Sequence, residues 1–192
     1  SRLCMSSAVV AHQRAFGEDL VPACYEDLEL ADLVVLTGAN TAWTHPVLFR
    51  RLQQARARRP ELKVVVLDPR RTMTAEQGDL HLALKPGSDV ALWNGLCRYL
   101  LDSDGWDKVY VAQHVSGFEA LAAALDDPAW QLDEVARSCG LSRSDLLGFY
   151  QLFARTPKTV TLFCQGINQS NQGVDKANAI INLIGSAGGI LV

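Results

Sequence analysis

No CxxC pair occurs anywhere in the 192 residues, although the chain holds five cysteines, Cys4, Cys24, Cys97, Cys139 and Cys164. Their long, irregular spacings exclude a self-contained zinc or iron–sulfur site, and an odd count fits a disulfide framework poorly, so a reducing compartment is the simpler expectation. Also missing is an uninterrupted apolar run of about 18 residues, which a membrane helix needs. The most apolar stretch, 177–192, is broken by Asn178, Asn182 and three glycines. Residues 1–10 lack the basic start and long apolar centre of an export signal. There is no excess of positive charge: a net charge of −3 speaks against a general nucleic-acid binder. The local run Arg50, Arg51, Arg56, Arg58 and Arg59 reads as the solvated face of a helix. A soluble chain without a membrane span follows, with a cytoplasmic setting expected and a periplasmic one left open.

What is present describes a globular domain, 48% hydrophobic and 20% charged, large enough to bury a core. Short, continuously apolar and β-branched runs stand at 33–36, 63–67 and 159–163, with a weaker one at 80–84. Such runs suit strands buried on both faces of a parallel sheet. Helical periodicity fills 6–16, 46–58, 89–101, 117–125, 132–139 and 142–155. In the last, Ser142 followed by Asp145 resembles a capping box. Strand and helix alternate, so the expected class is α/β, a Rossmann-like parallel sheet flanked by helices. The expected organisation is a single unit over 1–192 with a helical insertion near 102–157, marked by turns at 102–105 and 126–128.

Ligands of open parallel sheets bind beyond the carboxyl ends of the strands, so the residues after each strand carry the functional argument. After the first strand, Gly38 permits close backbone approach while Asn40 and Thr41 offer donors and acceptors. A full GxGxxG fingerprint is absent, so an ordinary strand-to-helix turn and a phosphate site are equally good readings of this loop. After the second strand, Asp68 is followed by Arg70 and Arg71, a carboxylate suited to ribose hydroxyls and two guanidinium groups suited to phosphate. Further on stand Gly87, Ser88 and Asp89, where the acid pairs with a purine or caps a helix. The run 165–173 packs five carboxamides into nine positions, which suggests recognition of a polar heterocycle.

In this order, these segments resemble the molybdopterin oxidoreductase family, in the branch of assimilatory and periplasmic nitrate reductases. The resemblance is carried by Cys4-Met5-Ser6-Ser7, Gly38-Ala39-Asn40-Thr41, His45-Pro46, Asp68-Pro69-Arg70-Arg71-Thr72, Pro86-Gly87-Ser88-Asp89 and Gln165-Gly166-Ile167-Asn168-Gln169, and it spans nearly the whole chain. It implies a bis-molybdopterin guanine dinucleotide cofactor, with Cys4 as the catalytic thiolate ligand of molybdenum. Gly38, Asn40, Thr41, Asp68, Arg70, Arg71, Gly87, Ser88 and Asp89 would contact the guanosine and diphosphate of one cofactor molecule, and Gln165 and Gln169 would approach the pterin. His45, just before a proline at a helix start, is left as structural. The implied activity is reduction of nitrate to nitrite, with electrons from a donor protein or domain.

The family also carries an iron–sulfur cluster in a preceding cysteine-rich part and a separate domain for the second nucleotide arm. Neither has a counterpart here, so the chain reads as a fragment of a larger enzyme, inactive alone. The tail 183–192 departs from the family pattern. Two rivals stand beside this reading: another member of the family, such as a formate dehydrogenase or a sulfoxide reductase, and a noncatalytic Rossmann-type nucleotide-binding domain.

Overall fold

The computed structural model describes residues 3–187 and 190–191. Ser1 and Arg2 of the family-like opening, and Gly188, Gly189 and Val192 of the divergent tail, lie outside the described residues. Five parallel strands, β1 (Leu33–Thr37), β2 (Lys63–Leu67), β3 (Leu80–Leu82), β4 (Thr159–Phe163) and β5 (Ile190–Leu191), form one sheet in the order β3-β2-β1-β4-β5.

Alternation of side chains explains why the runs are continuously apolar. Leu33 and Val35 of β1, with Val65 and Leu67 of β2, face one apolar layer. Val34 and Leu36, with Val64, Val66, Val160 and Leu162, face the other. Both faces are covered, so all five residues of β1 are buried and no position of it needs to be polar on packing grounds.

The helices are α1 (Ser6–Phe16), α2 (Tyr25–Leu30), α3 (Thr41–Thr44), α4 (Pro46–Arg58), α5 (Met73–Glu76) and α6 (Asp89–Asp102). They continue with α7 (Lys108–His114), α8 (Phe118–Ala124), α9 (Leu132–Cys139), α10 (Arg143–Ala154), α11 (Gln165–Asn168) and α12 (Gly173–Ala187). One layer is built around α1, α6, α9, α10 and α12, where Trp93, Phe149 and Tyr150 are fully buried. The other is thinner and rests on α2, α4 and α5 through Leu28, Leu52 and Ala75. Local chemistry sets several ends: Pro46 opens α4, Thr72 Oγ1 accepts from Ala75 N–H at 3.2 Å, and Ser142 Oγ accepts from Asp145 N–H at 3.0 Å.

The expected α/β sheet and its four strands are observed, and β5 is an additional edge strand within the tail. The arginine run on α4 is not merely solvated. Arg51 reaches Glu26 and Glu29, Arg56 pairs with Asp79 at 2.9 Å, and Arg59 bonds Asp32 and the Ala31 carbonyl, so the run fastens α4 to α2 and to the strand ends.

From β1 the chain steps outward through β2 to β3, then returns through α6 to α10 and enters on the opposite side of β1 as β4. The strand order therefore reverses between β1 and β4, and a crevice opens beyond their carboxyl ends.

Candidate functional site

The chain ends of β1 and β4 meet at a pair of glycines. Gly166 N–H donates to the Gly38 carbonyl at 3.0 Å, and a Cβ on Gly166 would lie 2.6 Å from Gly38 Cα. Gly38 also sits at φ +58°, in the left-handed region that favours glycine. The crevice floor is therefore bare backbone, which a ligand can approach closely.

A cleft of about 560 Å³ lies over this floor. Gly38, Asn40, Asp68, Arg70, Gly87, Asp89 and Gln165, all singled out from the sequence, line it together with Lys85, Cys164, Ser170, Asn171 and Lys176. Ser170 and Asn171 also line a second groove of about 680 Å³ that runs on to Leu3, Cys4, Ser6, Asn168 and Gln169. The two hollows share Ser170 and Asn171, one reaching the end of β2 and the other the cysteine near the chain start.

Each lining group is held by the element behind it. Asp68 is 5% exposed, and its Oδ1 accepts from Arg70 N–H at 2.8 Å. Its carbonyl accepts from His81 Nε2 at 2.8 Å, so the turn is tied to β3. Arg70 itself extends outward with its side chain 77% exposed, its Nε 3.9 Å from Asp68 Oδ1. Asn40 caps α3 without a side-chain cap bond; its Oδ1 instead accepts from Thr74 Oγ1 at 2.9 Å. Asp89 opens α6 and pairs with Lys176 Nζ at 2.7 Å, with side chains only 12% and 5% exposed. Below this turn the Cys139 thiol donates to the Ser88 carbonyl at 3.7 Å, and burial pushes that thiol's pKa up.

Three of the expected residues line neither hollow. Thr41 is buried on the other side of the sheet, beside Leu28, Leu36 and Leu48, and its Oγ1 has no hydrogen-bond partner. Arg71 is exposed and outside the lining. Ser88 stands at the N-cap of α6, but its hydroxyl donates backward to the Lys85 carbonyl at 2.7 Å, away from any ligand. His45, set aside in the sequence, is exposed with Nδ1 2.8 Å from Thr44 Oγ1.

Cys4 lies in a short 3-10 turn, Leu3–Met5, directly before α1, and it is exposed. Carboxamides from 165–169 converge on it, with Gln169 Nε2 2.9 Å and Gln165 Nε2 3.6 Å from Sγ. Sequence reasoning found the carboxamides but not their contact with Cys4, and it missed Lys85, Cys164 and Lys176 as lining groups. Lys176 did leave a signal: it is spaced with Ile180, Leu183 and Ala187 along the apolar stripe of α12, where a lysine is out of place unless paired.

The chain is 52% identical to a nitrate reductase of Shewanella frigidimarina over 95% of its length and 19% of that protein. It is 51% identical to a nitrate reductase of Klebsiella oxytoca over 95% of its length and 20% of that protein. It therefore spans about a fifth of the length of these curated relatives. Among solved structures, acetylene hydratase from Pelobacter acetylenicus has the same fold, with a TM-score of 0.83 and 24% identity over 97% of this chain and 24% of that one. Residues 1–191 match molybdopterin oxidoreductase, and the chain belongs to that family, which works with a molybdenum–pterin cofactor.

Proposed function

We propose that this chain is the part of a molybdenum-dependent nitrate reductase that holds one arm of a molybdopterin guanine dinucleotide and supplies, through Cys4, the thiolate that ligates molybdenum. The observation that carries the reading is the pair of neighbouring hollows at the sheet's reversal point, which share Ser170 and Asn171, one lined by the turn at 68–70 and the other by Cys4. Nitrate as substrate rests on the two relatives at 52% and 51% identity.

The donor set suits such a ligand. Bare backbone at Gly38 and Gly166 admits a flat or bulky group against the floor. Asp68, with one oxygen already fixed, offers a carboxylate to ribose or purine donors. Arg70 and Lys85 at the rim match a diphosphate, Arg70 by its fork of donors and Lys85 as a point charge. The Gln165 and Gln169 amides stand at the sulfur end.

When bound, the molybdenum–pterin group supplies the two-electron oxygen-transfer chemistry that converts nitrate to nitrite. This chain's part is to bind, orient and close off: the strand-end turns fix the nucleotide arm, and the turn before α1 delivers one sulfur. An iron–sulfur cluster, an electron-donor protein or domain, and the domain for the second nucleotide arm belong to the rest of the enzyme. A cytoplasmic setting is part of the proposal, supported by five free cysteines. Among the described residues no helix is long and apolar enough to cross a membrane.

The decisive variant is Cys4→Ala in the full-length enzyme, assayed for nitrite formation and for bound guanine nucleotide. Nitrite formation should vanish while guanine content stays near one wild-type complement. Persistent nitrate reduction would overturn the ligand role of Cys4. A wild-type enzyme that carries molybdenum and guanine but turns over formate would replace the substrate.

A further inference from the structure

The turn at 165–169 does more than border the groove. Gln169 Nε2 donates to Cys4 Sγ at 2.9 Å and lies 3.2 Å from the Cys4 carbonyl, so its amide nitrogen is directed at two atoms of one residue. Asn168 Nδ2 donates to the same carbonyl at 3.2 Å. Gln165 Nε2 stands farther off, 3.6 Å from the sulfur.

The turn is itself held rigid. Ile167 is fully buried, and Ser170 Oγ donates to its carbonyl at 3.2 Å. Gly173 N–H donates to the Ser170 carbonyl at 3.0 Å, and a Cβ on Gly173 would come within 2.3 Å of the Asn168 carbonyl, so α12 starts pressed against the turn. The donors are therefore placed before any ligand arrives.

We propose that Gln169 is a positioning residue for the metal thiolate: it fixes the direction of the Cys4 sulfur and, by donating N–H to it, sets how much charge that sulfur gives to the metal. The inference rests on the reading of Cys4 as the molybdenum ligand. Hydrogen bonds to ligating sulfur withdraw charge from the metal and raise its reduction potential. Gln165, at the longer distance, has the same effect in weaker form.

The test uses the full-length enzyme with Gln169→Leu, Gln169→Glu, Gln165→Leu and Cys4→Ser. The measurements are molybdenum content, the paramagnetic resonance spectrum of the half-reduced metal, and its midpoint potential by redox titration. Leucine removes the donor at nearly the same volume, and glutamate keeps the shape but only accepts hydrogen bonds when ionised. The expected result is a potential shifted negative in Gln169→Leu, further negative in Gln169→Glu and least in Gln165→Leu, with a changed spectrum in the Gln169 variants. Should the glutamate variant fail to load, the leucine variant carries the comparison. Wild-type spectrum and potential in a molybdenum-loaded Gln169→Leu enzyme overturn the inference. Cys4→Ser separates the two readings: if it alters the spectrum and the Gln169 variants do not, the ligand reading stands and this inference alone falls, whereas an unchanged Cys4→Ser spectrum sinks both.

Discussion

Lys176→Met should loosen the cleft from behind. Lys176 and Asp89 pair at 2.7 Å with side chains 5% and 12% exposed, and the pair ties α12 to the first residue of α6. Removing the lysine leaves a buried carboxylate without its cation, a change that costs about 3–5 kcal/mol in buried pairs. Part of this is offset, because Asp89 stands in the first turn of α6, where the helix dipole returns about 0.3–1 kcal/mol to an acid. Water reaching Asp89 from the cleft reduces the penalty further, so a net cost of about 2–4 kcal/mol is expected. At about 1.4 kcal/mol per decade, amides whose exchange requires opening of α6 and α12 should then exchange roughly 30- to 700-fold faster. Hydrogen exchange read by mass spectrometry on the full-length enzyme resolves these two helices from the remainder. The double change Lys176→Met with Asp89→Leu removes both charges and should recover most of the loss, since apolar replacements of buried pairs are often neutral. Wild-type exchange in α6 and α12 of the single variant, or a double variant as labile as the single, would refute the reasoning.

Gly166→Ala forces a Cβ to within 2.6 Å of Gly38 Cα and 2.8 Å of its carbonyl oxygen, so the ends of β1 and β4 must part. A cost of about 1–3 kcal/mol and a clear drop in molybdenum per polypeptide are expected, read by elemental analysis of the purified full-length enzyme. Gly87→Ala is the control: φ is +91° with open space around it, so only the left-handed penalty of about 1–2 kcal/mol applies and cofactor content should change less. Tyr150→Phe deletes a buried hydroxyl that donates to the Leu92 carbonyl at 2.8 Å, and should cost about 1 kcal/mol in urea titrations. Burial, then the neighbouring Cys139, pushes the Tyr150 phenol well above its ordinary pKa. The native state therefore keeps a proton that the unfolded chain releases. That contribution is whole below about pH 10 and is lost as pH rises beyond it, with a slope near 1.4 kcal/mol per pH unit for one proton. The phenylalanine variant should lack this component, and identical alkaline stability profiles would count against it.

The sheet was readable from the chain because both of its faces are covered. Packing on two sides demands the uninterrupted Val and Leu of 33–36 and 64–67, whereas a strand wetted on one face would alternate them with polar residues. β5 was not readable, since two residues at an edge carry no periodicity. The single turns α3, α5 and α11 were hidden for a related reason: four residues make one helical turn and leave no repeated spacing to detect.

The site divides in the same physical way. Gly38, Asp68 and Arg70 announced themselves because they follow strands directly, so their distance from the sheet edge is fixed by local geometry alone. Thr41 and Ser88 belong to the same turns yet point elsewhere, because a one-residue rotation of backbone decides whether a hydroxyl meets the cleft, the opposite apolar layer or a carbonyl behind it. Lys176 and Gln169 depend on tertiary closure. The partner of Lys176 lies on α6, and that of Gln169 stands 165 positions away in the turn before α1, so neither residue's local sequence could name its target. The carboxamide-rich run signalled that something polar would be met there. Only folding shows that two amides of that run, those of Gln165 and Gln169, meet one sulfur.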